Sequence, residues 1–421
     1  MKKKLLFIIN TMGRAGAETA LIEMMKKLDA TGEYQLSLYA IIPQGELFGR
    51  VPENVHILNR HVSCGSVLSR AGRTAIFFRI VYSFFYRLTG FRLLPYIFRN
   101  IAQQKKDGRV QYDKVLWRLL AEGLPVRKEC FDLAVAYIEG ASAYYLADKV
   151  KAKHKAAFIH IDYQKAGYLP MMDRNCYDCT ERIFVVSNEV GEKFGNVYPQ
   201  YRNKIMLFRN ILDCKGIIEK AGTGIGFEDG FNGVRFVTVG RLTYQKGYDI
   251  AIEAMAQIKA DGYPVRWYVL GEGQERTNLE HLIEKYGVQN DFILLGAKEN
   301  PYPYIKQADL YVHATRFEGK SIAIEEAQVL GKPIIASDCT GNTEQITSGY
   351  DGILFPLNKE NLVRTLEWVT DHPEVQKELS LHVAERKLIY PEDLENLLAL
   401  IQTDKEEYEN ERCADSYSRV Q

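Results

Sequence analysis

The sequence predicts an α/β protein of two doubly wound domains facing a deep cleft, and three observations carry that expectation. Short apolar runs alternate with amphipathic stretches of helical period, this series occurs twice, and a stretch crowded with glycine separates the two. A chain of 421 residues has room for two or three domains, each large enough for its own core. In the first series, residues 4–10 form a β-rich apolar run ending at the turn Gly13-Arg14-Ala15-Gly16. Residues 17–28 follow as a helix with Leu21, Met24, Met25 and Leu28 on one face. Further strands are expected at 35–42, 131–137, 156–161 and 182–187, the last leading into a helix through Phe194. Residues 214–233 hold six glycines, so the interdomain linker is placed at 214–232. The second series has strands at 235–239, 265–270, 292–295, 310–313 and 334–337, with helices at 249–259, 275–286 and 322–330. The domains are therefore 1–213 and 233–402, with a last helix free to cross back to the first. Residues 403–421 are polar and acidic and read as a frayed or disordered tail. Ligands of such sheets bind beyond the strand C-termini, which makes the cleft between the domains the expected site.

Lys+Arg and Asp+Glu both number 54, and zero net charge argues against a general polyanion binder. The seven cysteines are odd in number and scattered, which favours reduced cytosolic thiols over a disulfide framework. Cys176-x-x-Cys179 has no second pair and no histidine cluster beside it, so it reads as accidental spacing rather than a zinc or redox site. The basic, apolar N-terminus lacks a small-residue cleavage site and reads as a first buried strand rather than a signal peptide. The charge balance hides one asymmetry. Residues 54–104 contain no Asp or Glu, while Arg stands at 60, 70, 73, 79, 87, 92 and 99 among Phe77, Phe78, Tyr82, Phe84 and Phe85. Arg79 interrupts the longest apolar stretch, which disfavours a spanning helix. Two readings remain for 54–106: basic aromatic helices lying in a lipid headgroup layer, or a helical insertion packed on the first domain.

Three segments of the second half carry candidate chemistry. In Val239-Gly240-Arg241-Leu242-Thr243-Tyr244-Gln245-Lys246-Gly247, a strand ends at a glycine and two cations five residues apart precede a helix. Arg and Lys suit phosphate oxygens, and Gly240 permits close backbone approach. Gly271-Glu272-Gly273 again ends a strand, but it lacks the third glycine of a dinucleotide fingerprint and is either a tight βα turn or a ligand contact. The third segment runs from Phe317 through Glu318, Gly319, Lys320, Ser321 and Ile322 to Glu326. Its two carboxylates flank a small-residue turn opening a helix, where free backbone N–H groups at 319–322 would hold a diphosphate. His313 reads as a structural histidine. Glu139 faces the expected cleft, and Glu344 either supports a nucleotide site or caps a helix.

Taken together, these segments resemble glycosyltransferase family 4, whose fold is GT-B. That family shows strand-Gly-Arg-Leu…Lys-Gly, then Gly-x-Gly, then Glu, seven residues, Glu, all present here in order. In the first half, Gly13-Arg14-Ala15-Gly16-Ala17-Glu18 is similar to its N-terminal glycine loop, His160-Ile161-Asp162 to its His-x-Asp strand end, and Arg209-Asn210-Ile211 to its Asn-Ile segment. Among subgroups the bacterial capsular and exopolysaccharide transferases look most similar over 319–345. The resemblance implies that Arg241 and Lys246 bind the donor diphosphate and stabilise the leaving group. It implies that Glu326 accepts from ribose hydroxyls, that Glu318 lies near the reacting sugar, and that Gly319, Lys320, Ser321 and Ile322 offer backbone amides. Gly240, Gly271 and Gly273 would line the donor site, while Gly16 and His160 would approach from the opposite domain. It further implies transfer with retention, without metal or other cofactor. The donor would be a nucleotide-diphosphate sugar, UDP-linked by family frequency, carrying a hexose or N-acetylhexosamine. The acceptor would be lipid-linked or a polysaccharide, met at the cytoplasmic face of the membrane, and nucleic acid is not expected. A non-hydrolysing nucleotide-sugar epimerase and a non-catalytic nucleotide-sugar-binding subunit are the rival readings.

Overall fold

A computed structural model describes residues 2–402 apart from 67–68, 86–90, 92–93, 96–97, 100, 103–104, 106–111, 165, 167, 169 and 340. The tail expected at 403–421 and much of the 54–106 insertion lie outside the described residues. The first sheet has seven strands in the order β3-β2-β1-β4-β5-β6-β7, all parallel. They are β1 Lys3–Ile9, β2 Tyr34–Ala40, β3 His56–Ile57, β4 Cys130–Ala136, β5 Lys151–Ile159, β6 Arg182–Val185 and β7 Ile205–Leu207. The second sheet has six parallel strands in the order β10-β9-β8-β11-β12-β13. These are β8 Val234–Val239, β9 Val265–Leu270, β10 Phe292–Gly296, β11 Leu310–His313, β12 Ile334–Ser337 and β13 Ile353–Phe355.

Helices cover both faces of each sheet, so the strands are buried on two sides and read as continuous apolar runs such as Leu5–Ile9, each 0% exposed. The strands expected from the sequence are present. β3, β7 and β13 are additional; at two or three residues each they are too short to display a period. Each sheet reverses direction once, between β1 and β4 and between β8 and β11, and these switch points open onto the cleft. Asn10 ties the first one together: its Nδ2 donates to the Glu139 carbonyl at 3.0 Å, and its Oδ1 accepts from Ser142 N at 3.0 Å.

The segment placed as linker is not an extended connection. Cys214–Thr223 is a helix, capped by Asp213 accepting from Gly216 N at 3.0 Å. It buries Ile217 and Ala221 and packs on helix Tyr302–Gln307 of the second domain. Glycine content pointed to a linker there, but an N-cap and two apolar positions on one face are sufficient for a helix that docks. The last helix, Pro391–Ala399, does cross back: Leu397, Leu400 and Ile401 join the core formed by Leu5, Phe7 and Leu133. Arg209 of the first domain pairs with Asp393 through Nη1 at 3.2 Å, lies 4.1 Å from the Tyr390 ring centroid, and donates its backbone N–H to the same carboxylate at 2.9 Å.

Candidate active site

At the switch point of the second domain, the loop after β8 meets the loop after β11. Gln245 Nε2 donates to the Phe317 carbonyl at 2.8 Å, and Thr315 Oγ1 donates to the Gln245 carbonyl at 2.9 Å, so the two loops are tied together. Lys246 is thereby brought onto Glu318 in an ion pair, with His313 Nε2 3.5 Å from the same carboxylate. Burial opposes charge on Glu318, but Lys246 and His313 outweigh it and hold the carboxyl down at about 2. The same burial, with repulsion from Lys246, lowers His313 to about 4, so the imidazole is neutral at pH 7. His313 is thus a buried, neutral wall residue beside Glu318, and its ring nitrogens have no hydrogen-bond partner among the described residues, unlike those of a satisfied structural histidine.

Glu326 lies one turn further along helix Ile322–Val329. It is 9% exposed, and its Oε1 accepts from the Tyr302 hydroxyl at 2.8 Å. Burial raises its carboxyl to about 7 against the Tyr302 hydrogen bond. Thr19, Glu23, Arg50, Lys220, Tyr302 and Ile322 line the pocket around it, so both domains contribute walls.

From the other side, His160 donates Nε2–H to the Tyr137 carbonyl at 2.9 Å, while its backbone N–H donates to Glu139 Oε2 at 3.0 Å. A carbonyl can only accept, so Nε2 carries the proton and Nδ1 is the acceptor of a neutral ring. Burial lowers this histidine to about 4, which keeps it neutral. The two domains touch here: a Cβ on Gly319 would come within 1.9 Å of the His160 carbonyl oxygen, and Ser187 Oγ donates to the Gly319 carbonyl at 3.2 Å. Gly16 faces Ile322 in the same way, its Cβ position 3.3 Å from Ile322 Cδ1.

Arg241 is exposed at the cleft, and its charge reaches Glu18 of the opposite domain. Burial pushes Glu18 up to about 7, partly offset by a backbone amide, by Arg241 and by Thr11. Glu18 belongs to the glycine loop, but nothing in its spacing marked it out; its burial against the other domain does. Glu344 resolves to a cap, and on the other domain. Its carboxylate accepts from the Asn188 N–H at 2.8 Å and from the Glu189 N–H, at the start of helix Asn188–Val197.

One expectation for the turn at 319–322 changes. Ser321 N–H is not free: it donates to Gln345 Oε1 at 2.7 Å, and Gln345 Nε2 returns a bond to the Ser321 carbonyl at 2.9 Å. The Lys320 side chain turns away to pair with Glu325 at 2.7 Å, and it lines a second interdomain pocket with Arg209, Arg386 and Tyr390. Only its main chain stays available to the Glu318 side. Gly271 and Gly273 are required by packing, since added Cβ atoms would lie 1.9 Å and 2.2 Å from the carbonyls of Gly240 and Leu242. Gly240 itself accepts the Tyr248 hydroxyl at 3.0 Å. Cys176 is buried, which pushes its thiol up and leaves it an inert core residue.

Two facing doubly wound domains of seven and six parallel strands, touching across a cleft at Gly319, define the GT-B class. An Anabaena protein, HepE, solved in complex with UDP, superposes over 100% of both chains with a TM-score of 0.61 at 16% identity. Residues 232–385 match the family model of the glycosyl transferases group 1. Relatives include the N-acetylgalactosamine-N,N'-diacetylbacillosaminyl-diphospho-undecaprenol 4-alpha-N-acetylgalactosaminyltransferase of Campylobacter jejuni, 28% identical over 38% of this chain and 42% of its own. A putative colanic acid biosynthesis glycosyltransferase of Salmonella typhimurium is 31% identical over 30% of this chain and 33% of its own. The chain spans about half the length, or less, of the curated relatives it matches.

Proposed function

We propose that the whole chain is a retaining, metal-independent glycosyltransferase. It moves a hexose or N-acetylhexosamine from a nucleotide-diphosphate sugar, UDP-linked, to a lipid-linked or polysaccharide acceptor of a surface polysaccharide. The observation that carries this reading is the Lys246–Glu318 pair at a switch point, with Glu326 on the helix that follows Glu318 and His160 held against Gly319 from the facing domain. Arg241 and Lys246 offset the charge of the departing diphosphate, together with the main-chain amides of Gly319, Lys320 and Ile322 at a helix N-terminus. Glu326 receives the ribose hydroxyls. Glu318, kept ionised by Lys246, faces the sugar carbon as positive charge develops there. His160 offers an acceptor nitrogen to a sugar hydroxyl from the other side. The UDP seen with HepE supports the choice of donor, and the diphospho-undecaprenol in the name of the Campylobacter relative supports a lipid-linked acceptor met at the inner face of the cytoplasmic membrane.

The test is a panel of nucleotide sugars scored by thermal shift and nucleotide release. A cognate donor stabilises by mass action, by about 2.7 kcal/mol at a hundredfold excess over Kd. One sugar nucleotide should raise the melting temperature well above the rest and release its nucleotide only when acceptor is added. Isomerised donor without acceptor would move the assignment to an epimerase, and binding without turnover to a non-catalytic subunit.

A further inference from the structure

The largest departure from ordinary surface chemistry lies away from the cleft, on helix Arg70–Phe85. Its inner face is settled: Ile76 and Ile80 pack on the core of the first domain, Ser83 is 2% exposed, and the helix lies along helix Tyr112–Glu122. Its outer face is apolar as well. Phe77, Phe78, Tyr82 and Phe85 are 61–65% exposed, with Val81 between them. These five stand at i, i+1, i+4, i+5 and i+8, a single stripe opposite the packed one. Soluble surfaces rarely expose a continuous aromatic patch of this kind.

Charge decides what covers it. The stretch 54–106 that contains the helix has seven arginines and no Asp or Glu, in a chain whose total charge is zero. A second copy docked face to face would bring two such basic stretches together, at an electrostatic cost. An anionic phospholipid surface satisfies both properties, taking the rings at headgroup depth and attracting the net positive charge of the stretch. The helix has 16 residues, and among the described residues no helix is long and apolar enough to cross a membrane. It fits a segment lying in the interface plane.

We infer that the Phe77–Phe78–Val81–Tyr82–Phe85 face inserts into an anionic phospholipid leaflet and binds it independently of donor and acceptor. This deepens the acceptor reading above and rests on it only for its biological sense. Helix Tyr112–Glu122 lies between this face and the cleft, its Trp117 side chain beside Gly140, the residue after Glu139. A leaflet on the outer face therefore sits against the first domain, whose cleft wall carries Glu139 and His160.

The experiment is co-sedimentation of the full chain with vesicles of phosphatidylcholine alone and with about a third phosphatidylglycerol. The chain should pellet with the anionic vesicles and be released as salt rises. The double variant Phe77→Glu, Phe78→Glu should lower the bound fraction about tenfold or more. Because both side chains point outward, its melting temperature and its thermal shift with nucleotide sugar should match the parent. Equal pelleting of variant and parent, or no pelleting with either vesicle, overturns the inference. So does a dimer on gel filtration that the double variant abolishes without any vesicle binding, which would assign the face to a second copy. Failure of the transferase reading looks different: vesicle binding is intact while no nucleotide sugar is turned over.

Discussion

Glu326 is held near neutrality by burial, with one oxygen already occupied by the Tyr302 hydroxyl. A carboxylate accepts from a diol best when ionised, so donor binding should weaken as pH falls through about 7. Tyr302→Phe removes a bond that favours the ionised form, so the midpoint should move up. Each unit of displacement is worth about a factor of ten in donor KM at pH 7, with kcat nearly unchanged. Nucleotide-release kinetics across pH check this, and a fall in kcat at constant KM would be the contrary result. The linked stability runs the opposite way with pH. A carboxyl raised from 4.5 to about 7 on folding contributes stability that is fully present below 4.5 and lost as pH rises to about 7. At this scale the sequence showed the kind of residue but not its direction. The spacing of Glu318 and Glu326 was visible because both lie in one local segment, a turn and the helix it opens. That Gln345 consumes the Ser321 amide was not, because the partner lies 24 residues away on another element. The Lys320 side chain, for which the sequence carried no expectation, pairs with Glu325 on the far side of the turn.

At the scale of elements, helix Asn188–Val197 is capped twice, by Ser187 Oγ at 3.2 Å to Val190 N and by Glu344 from the facing domain. In return Glu189 Oε2 accepts from Gly341 N at 3.3 Å. Glu344→Ala should cost about 1 kcal/mol, the worth of a cap. Because the cap spans two domains, it should also loosen their contact, read as a larger radius of gyration in solution scattering. An unchanged radius would mean that Ser187 and Gly319 hold the domains unaided. Element type was legible wherever an apolar run reached four residues or more, which is why β8, β9, β11 and β12 were located to within a residue. Helix Cys214–Thr223 was obscured by its glycines, since a docking face of Ile217 and Ala221 is too small to outweigh them by composition.

For the whole molecule, the two domains share their ends. Leu397, Leu400 and Ile401 complete a core that begins at Leu5, and Asp393 fixes Arg209 at the crossing. Removing the chain from Pro391 onward should therefore destabilise the first domain rather than the second, to which the segment is adjacent in sequence. The loss of three buried aliphatic side chains suggests about 3–6 kcal/mol, at 1–2 each after partial relaxation. Melting followed by a probe in each domain would separate the two, and an early transition confined to the second domain would contradict it. The two-domain architecture was legible from one repeated alternation; the return crossing was only a possibility, because nothing in an amphipathic helix names the surface it will cover.

That return has a bearing on how the molecule is made. Ribosomes release a chain from its N-terminus, and domains ordinarily close as they emerge. Here the first domain waits, its hydrophobic floor under β1 and β4 unfinished until residues 397–401 are released. Throughout synthesis of the second domain it stands with apolar surface uncovered, so the last helix serves the nascent chain as a late-arriving lid.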